Sequence, residues 1–186
     1  MNMHELTVGP VGTRCYILSG EDSDACVVID PGAEARRIRM ALGEKTLAAI
    51  LLTHGHFDHI GAVRELMAPD TQLIIHRLDA PMLEDPALNC SLGLMHTRVT
   101  APAPTALVEE GSRLHLAGLD FEVLHTPGHT PGSVCYRVGQ DLFTGDTLFD
   151  AGWGRTDLPG GDESALFASL RRLIPLTREM TVHAGH

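Results

Sequence analysis

The alternation of hydrophobic and polar positions divides the chain into two sets of short strands with helices among them. Short apolar runs bounded by Gly, Pro or Asp predict strands. The first set comprises residues 5–8, 14–18, 25–29, 47–52 and 72–75. The second set comprises residues 113–116, 121–124, 134–138, 142–144 and 180–182. We therefore expect two sheets packed together with helices outside, because each sheet must cover its apolar faces.

Three segments have helical character. Residues 34–42 have helix-forming composition and end before a glycine, a common helix stop. Residues 62–68 end before a proline, and residues 164–174 carry apolar side chains at helical spacing. The turn-rich residues 85–105 are expected to form an exposed loop or a small lobe. No linker or repeat interrupts the chain, so residues 1–186 are predicted to form a single domain.

Composition narrows the class of protein. The chain is 44% hydrophobic and 20% charged, with a mean hydropathy of +0.03, which is typical of a folded globular protein. Its net charge of −10 disfavours nucleic acid as a partner, because phosphate binding needs a basic surface. The longest apolar run, residues 47–52, is too short to span a bilayer, so no membrane partner is expected. The oligomeric state is left open between a monomer and a homodimer.

Cysteine and histidine usage adds two expectations. Cys15, Cys26, Cys90 and Cys135 form no C-x-x-C pair, and residues 1–10 show no secretory signal. We interpret them as reduced thiols of a cytoplasmic protein. The chain also has 11 histidines but only 4% aromatic residues, which favours metal chemistry over stacking surfaces.

The strongest motif, H-G-H-F-D-H at residues 54–59, follows the predicted strand 47–52 and contains His54, His56, Asp58 and His59. On an α-helix, side chains two residues apart would point about 200° apart. In an extended backbone they lie on the same side and can converge. The motif therefore predicts a loop that suits two metals, followed by a helix that opens at Gly61.

Three later turns carry further ligand types, each just after a predicted strand. Their sequences are H-T-P-G-H at 125–129, T-G-D-T at 144–147 and V-H-A-G-H at 182–186. They place His129, Asp146 and His186 in loops at strand ends, where scaffolds commonly present functional side chains.

Together these motifs resemble the metallo-β-lactamase superfamily, whose signature is H-x-H-x-D-H followed by His, Asp and His turns in this order. Three further segments resemble its glyoxalase II-like (hydroxyacylglutathione hydrolase-like) branch: V-I-D-P-G at 28–32, F-T-G-D-T-L-F at 143–149 and G-R-T-D-L-P-G-G at 154–161. The resemblance implies an α/β fold, a four-layer αβ/βα sandwich of two mixed β-sheets flanked by helices. It also implies a metal site at the edge of the two sheets.

The resemblance further implies how the ligands divide between two divalent metal ions. The first metal would be bound by His54, His56 and His129, and the second by Asp58, His59 and His186, with Asp146 as the bridge. Zinc is the expected metal, and imidazole with carboxylate ligands also suits iron or manganese. Asp in place of Cys at position 146 disfavours a β-lactamase of the cysteine-containing kind.

The implied activity is that of a metal-dependent hydrolase, a thioesterase that cleaves S-acyl glutathione-type thioesters with a metal-bridging hydroxide. Asp58 would have two roles: it would bind a metal, and it would be the catalytic residue that orients this hydroxide. Two alternatives stay open. One is a persulfide dioxygenase of the same fold, which uses one iron bound by residues matching His54, His129 and Asp146. The other is a metal-binding module without catalysis.

Other polar residues have smaller expected roles. Asp30, at the end of a buried strand, is expected to orient a ligand histidine, and Arg155 is expected to pair with Asp157 to order their loop. For His125 and His183 a structural role is the main expectation, with a supporting contact to a ligand as the alternative. The remaining histidines are expected to be structural or exposed: His4, His76, His96 and His115.

Overall fold

Two β-sheets face each other in the structure, a computed structural model that describes residues 1–186. The first sheet contains six strands: β1 (Asn2–Val8), β2 (Thr13–Ser19), β3 (Ala25–Ile29), β4 (Thr46–Leu51), β5 (Gln72–His76) and β6 (Ala106–Val108). They lie side by side in chain order. Pairing is antiparallel from β1 to β3 and parallel from β3 to β6, so the sheet is mixed.

The second sheet and a small hairpin contain the remaining strands. These are β7 (Arg113–Leu116), β8 (Leu119–His125), β9 (Val134–Val138), β10 (Asp141–Gly145), β11 (Leu148–Phe149), β12 (Gly152–Trp153) and β13 (Thr181–Ala184). The five-stranded sheet has the order β13-β10-β9-β8-β7, and β11 pairs with β12. Only β10 and β13 are parallel, so this sheet is mixed as well.

Five α-helices and two 3₁₀ turns connect the strands. The helices are α1 (Ala35–Leu42), α2 (Phe57–Ile60), α3 (Val63–Leu66), α4 (Ser91–Met95) and α5 (Glu163–Leu173), and the 3₁₀ turns are Ala80–Leu83 and Leu176–Arg178. Asp162 caps α5 by accepting a hydrogen bond from the backbone N–H of Ala165 at 2.9 Å. No helix has the length and apolar content needed to cross a bilayer.

Alternate residues of the strands face different layers, as the pleat of a β-strand requires. In β4, Ala49 and Leu51 belong to the apolar cluster between the two sheets. Ile50 points the other way and packs in the cluster that includes residues of α1, α2 and α3. On the far side of the second sheet, Leu142 of β10 packs against Leu173 of α5. The order helix, sheet, sheet, helix confirms the expected metallo-β-lactamase fold.

The helix predicted over residues 62–68, opening at Gly61, is wrong in its bounds. The backbone is extended at His56, and α2 starts at the next residue, Phe57. Asp58 and His59 therefore lie inside a helical turn instead of preceding one. A second short helix, α3, follows after a break at Ala62.

The expectation of an exposed loop over residues 85–105 is correct only in part. Asn89 and Ser91 are fully buried there, and α4 lies within the segment. The Asn89 side-chain amide donates to the carbonyls of Met82 and Val99, both at 2.9 Å. One buried amide thus links the start of the segment to its later part and to the 3₁₀ turn that precedes it. Strands β6, β11 and β12 were not predicted, because two or three residues carry too little alternation.

Candidate metal centre

The loops that follow β4, β8, β10 and β13 meet at one end of the two sheets. The potential ligand atoms of seven side chains converge there, in three overlapping groups in which these atoms lie within 4.8 Å of one another. The groups are His54, His56 and His129; His54, His59 and Asp146; and Asp58, His59 and His186. Segments far apart in sequence therefore supply one pocket.

On one side of the pocket, His56 and His129 approach each other closely. His56 Nδ1 lies 2.9 Å from His129 Nε2, and both residues are buried. Two ring nitrogens at this distance need a proton or a cation between them. The His54 ring lies beside both, with its centroid 4.8 Å from each of the other two.

On the other side, Asp58 and Asp146 face the rings of His59 and His186. His186 Nε2 lies 3.2 Å from Asp58 Oδ2 and 3.5 Å from Asp146 Oδ2. His59 Nε2 lies 3.6 Å from Asp58 Oδ2 and 3.4 Å from Asp146 Oδ1. Asp146 Oδ2 is also 3.5 Å from His129 Nε2, so Asp146 lies between the two halves of the pocket.

Two glycines allow the Asp146 carboxylate to reach this central position. Gly145, which precedes it, has a φ of 50°, a left-handed conformation that favours glycine. A Cβ atom at Gly145 would overlap Thr53, and a Cβ atom at Gly185 would overlap Asp146 Oδ1. The T-G-D-T and H-A-G-H turns therefore need glycine at these places for the strand ends to pack together.

The pocket leaves several buried polar atoms without a hydrogen-bond partner. They are His54 Nε2, His56 Nε2, both ring nitrogens of His59 and Asp146 Oδ1. Leaving such atoms unpaired costs about 1–3 kcal/mol each, so natural folds rarely tolerate a cluster of them without a ligand. Imidazole and carboxylate donors in this number fit a site for divalent cations.

Burial and neighbouring charges separate the protonation states of the pocket histidines. Burial and the adjacent His59 hold the pKa of His54 well below its usual value. Burial and His129 lower the pKa of His56 to about 3. Both rings are therefore neutral at pH 7, which is the form that binds a metal.

The carboxylates and the remaining rings respond to one another. Burial opposes ionisation of Asp58, but His59 and His186 lower its pKa to about 2. Burial likewise opposes protonation of His186, but hydrogen bonds to Asp146 and Asp58 raise its pKa to about 9. Asp58 and Asp146 are thus ionised at neutral pH and hold a proton on the His186 ring. A metal bound by His186 would have to displace this proton.

Asp30 and Thr53 orient the rings of His59 and His54. The role of Asp30 was expected, whereas that of Thr53 was not predicted. Asp30 accepts hydrogen bonds from the Thr53 N–H (2.8 Å) and hydroxyl (2.6 Å), and its Oδ2 lies 2.9 Å from His59 Nδ1. Because the Thr53 hydroxyl proton points to Asp30, its oxygen accepts from His54 Nδ1 at 3.1 Å. The Nε2 atom of His54 is thereby left as an acceptor for a metal, and the Asp30 contact sets the orientation of the His59 ring.

Asp79 is a second supporting residue, and it was not predicted from the sequence. Its fully buried carboxylate accepts from the Gly55 N–H (3.1 Å), the Thr130 hydroxyl (2.6 Å) and the Gly132 N–H (2.6 Å). Gly55 lies between His54 and His56, while Thr130 and Gly132 follow His129. Asp79 therefore ties two ligand loops together. Its position just after β5 was the only available signal.

Arg155 contributes to the site through its backbone. Its carbonyl oxygen accepts from His129 Nδ1 at 2.8 Å, which leaves the His129 Nε2 directed at Asp146. The Arg155 side chain pairs with Asp157 through two contacts of 2.6 Å, so the expected loop-ordering pair is confirmed.

The other histidines make no hydrogen bond to a potential ligand. His125 Nε2 bonds to the Pro131 carbonyl, and its ring stacks on His76 at 4.1 Å. His183 Nε2 lies 2.8 Å from Asp141 Oδ1, and its ring stacks on Phe143. The main expectation for His125 and His183, a structural role, agrees with these contacts.

Comparison with known proteins agrees with the fold. The model of the metallo-beta-lactamase superfamily matches residues 8–186, and the chain belongs to this superfamily of metal-dependent hydrolases. It is 40% identical to the "Probable metallo-hydrolase YqgX" of Bacillus subtilis, over 100% of this chain and 90% of that protein. It is 36% identical to the "Hydroxyacylglutathione hydrolase GloC" of Haemophilus influenzae, over 100% of this chain and 91% of that protein.

Solved structures give the same result. The B3 metallo-beta-lactamase BLEG-1 superimposes with a TM-score of 0.93 at 38% identity, covering 100% of this chain and 91% of the other. TTHA1623, crystallised in a di-iron-bound form, gives a TM-score of 0.87 at 40% identity. This match covers 98% of this chain and 91% of the other. ETHE1 from Myxococcus xanthus gives 0.78 at 32% identity, over 100% and 76%.

Proposed function

We propose that the protein is a glyoxalase II-like thioesterase that hydrolyses S-acyl glutathione-type thioesters. The observation that carries this proposal is the convergence of seven ligand-type side chains, five of whose buried atoms have no hydrogen-bond partner in the protein. Similarity to the hydroxyacylglutathione hydrolase GloC of Haemophilus influenzae supports the choice of substrate class. The proposed partner is thus a small thioester in the cytoplasm, not nucleic acid or a membrane, and the net charge of −10 supports this choice.

The cofactor in this proposal is a pair of divalent metal ions, with zinc as the first candidate. His54, His56 and His129 would hold one ion, Asp58, His59 and His186 the other, and Asp146 would lie between them. Iron or manganese would suit the same ligands, and the di-iron form of TTHA1623 makes iron a concrete alternative. Ions bound here would make a water nucleophilic at neutral pH and polarise the thioester carbonyl.

In this proposal Asp58 is the catalytic residue. Its side chain is 14% exposed and lines the cavity beside the pocket, so it is accessible to substrate. The Thr13 hydroxyl donates to Asp58 Oδ2 at 3.1 Å and thereby orients the carboxylate. Because its low pKa keeps it ionised, Asp58 can accept a hydrogen bond from the attacking water or hydroxide and orient it. The departing thiol has an ordinary pKa near 8.5, so it leaves without needing a strong general acid.

The test combines metal analysis with an assay of S-lactoylglutathione hydrolysis. We expect two metal ions per chain and metal-dependent hydrolysis that His56→Ala abolishes. His115→Ala provides the control, because His115 is exposed on β7 and lies outside the pocket. A fully metal-loaded protein that hydrolyses no thioester would contradict the proposal and favour a metal-binding module without catalysis. Hydrolysis of a β-lactam alone would instead favour the activity named for BLEG-1.

A persulfide dioxygenase is the second candidate, and the similarity to ETHE1 from Myxococcus xanthus favours it. In this case one iron would be held by His54, His129 and Asp146. One iron per chain together with oxygen uptake in the presence of glutathione persulfide would replace the hydrolase proposal.

A further inference from the structure

Two cavities join beside Asp58. The first, of about 220 Å³, lies over the metal centre and is lined in part by His56, Asp146 and His186. The second, of about 300 Å³, extends away from the centre. Val11, Phe57, Asp58 and Met95 line both cavities, so the second lies directly beside the first. We call the second cavity the side groove. Its main apolar lining residues are Val8, Pro10, Val11, Phe57, Met95 and Val99.

Apolar side chains at the mouth of the side groove are partly exposed to solvent. Val11 is 46% exposed and Met95 40%, and Leu94, which lines the first cavity, is 49% exposed. Exposed apolar groups gathered around a concave site with few polar groups are typical of a ligand groove. A ligand that covers them would gain the free energy of removing their surface from water.

The two cavities differ in the charged residues that line them. Glu34 and Asp58 are the only charged residues that line the side groove, and both are acidic. Arg155 lines the first cavity and is the only Lys or Arg that lines either of them. The side groove therefore has no cationic lining residue to pair with the carboxylates of a glutathione moiety. The uncharged part of an S-acyl glutathione is its acyl chain, so the charges favour the acyl chain as the occupant.

The segment that carries Leu94 and Met95 is held firmly against the catalytic motif. The Asn89 carbonyl accepts from the Phe57 N–H at 3.0 Å, which ties this segment to the residue before Asp58. Cys90 and His96, on either side of α4, have φ values of 67° and 52°. Such conformations are costly for residues other than glycine and persist only where the surrounding structure fixes them. The groove wall therefore has a defined position relative to Asp58.

We propose that the side groove binds the acyl chain of the thioester, and that the protein prefers linear, uncharged alkanoyl groups over small polar ones. This inference rests on the proposed thioesterase function and adds the substrate's acyl class to it. Each methylene buried in an apolar site raises affinity about fourfold. A chain that fills even part of the groove should therefore give a large preference over acetyl.

A series of S-acyl glutathiones tests the preference in turnover. With S-acetyl-, S-butanoyl-, S-hexanoyl- and S-octanoylglutathione, we expect kcat/KM to rise at least tenfold from the first to the last. Met95→Ser and Val11→Ser should each lower the octanoyl-to-acetyl ratio of kcat/KM at least threefold. Met40→Ser is the matched control, because Met40 is 74% exposed on α1 and does not line either cavity.

Binding of S-alkylglutathiones tests the same groove without turnover, since these thioethers are not hydrolysed. By calorimetry on the metal-loaded protein, S-octylglutathione should bind at least tenfold more tightly than S-methylglutathione. Met95→Ser should reduce this ratio, and Met40→Ser should not. A flat kcat/KM series, or equal affinities of the two thioethers, would overturn the acyl-groove inference while hydrolysis itself upheld the thioesterase. No hydrolysis of any member would instead overturn the proposed function.

Discussion

The metal centre and the side groove share Asp58 but hold their side chains in different ways. In the metal centre, buried polar groups such as Asp30 and Asp79 fix the ligand loops through hydrogen bonds of 2.6–3.1 Å. In the side groove, partly exposed apolar side chains such as Val11 and Met95 form the walls. The chemistry therefore depends on buried contacts that the fold determines, whereas substrate choice depends on surface side chains that can change at little cost.

This difference predicts that substitutions in the two regions will have separate signatures. Changes in the metal centre should reduce metal content and activity together, and changes to its supporting residues should also reduce stability. Changes to the apolar side chains of the side groove, such as Val11 and Met95, should alter only the choice among substrates.

The largest effect is expected from Asp146→Ala. Asp146 contacts both halves of the pocket and has a buried oxygen without a protein partner. Its loss should lower kcat/KM by about three orders of magnitude, since metal ions contribute several kcal/mol of transition-state stabilisation. Elemental analysis should show fewer metal ions per chain. Asp70→Ala, at an exposed position, is the control, and full activity of metal-depleted Asp146→Ala protein would refute the bridging role.

A smaller effect on activity, with a loss of stability, is expected from Asp79→Ala. The change leaves the N–H groups of Gly55 and Gly132 and the Thr130 hydroxyl without their acceptor. The free energy of unfolding of the metal-free protein should fall by about 1–3 kcal/mol or more in urea titrations. Metal affinity should fall about 10- to 100-fold, as for other residues that orient ligands. Unchanged metal affinity in a folded variant would show that Asp79 does not position the ligand loops.

The smallest effect concerns the His76–His125 stack, which joins the ends of β5 and β8 just before the loops of Asp79 and His129. Burial and the neighbouring His125 lower the pKa of His76 to about 4. The unfolded chain, with a histidine pKa near 6.5, therefore binds more protons than the folded protein between pH 6.5 and 4. Stability should fall as the pH drops through this window.

His76→Gln should remove part of this pH dependence. The loss of unfolding free energy between pH 7.5 and pH 5, measured on metal-free protein in urea, should be smaller in the variant by about 1 kcal/mol after solvent screening. His115→Gln, at an exposed position, should behave like the wild type. If His76→Gln has the same pH dependence as the wild type, the His76–His125 stack does not contribute to the pH dependence of stability.

Site residues could be predicted from the sequence where several ligand types lie close together along the chain. The H-G-H-F-D-H segment and the three later turns identified the residues that converge, because ligand types beside strand ends form a recognisable pattern. The two-sheet architecture followed from the grouping of apolar runs. The position of α2 was missed, because helix formation from Phe57 depends on how the loop packs and not on apolar spacing.

Sequence reasoning failed where a residue's role depends on distant partners. Asp79 looks like an ordinary turn residue in H-R-L-D-A-P, and its bond to Gly132 spans 53 positions. The groove wall was missed for a related reason. Cys90 and His96 adopt left-handed conformations that usually mark glycine, so their sequence gave no indication of the turn they make.

Anomalous X-ray diffraction from crystals of the metal-loaded protein tests the central claim most directly. We predict two anomalous peaks per chain. One should lie beside His54, His56 and His129, and the other beside Asp58, His59 and His186. Asp146 should contact both. A single peak held by His54, His129 and Asp146, or peaks bound elsewhere on the surface, would contradict this prediction.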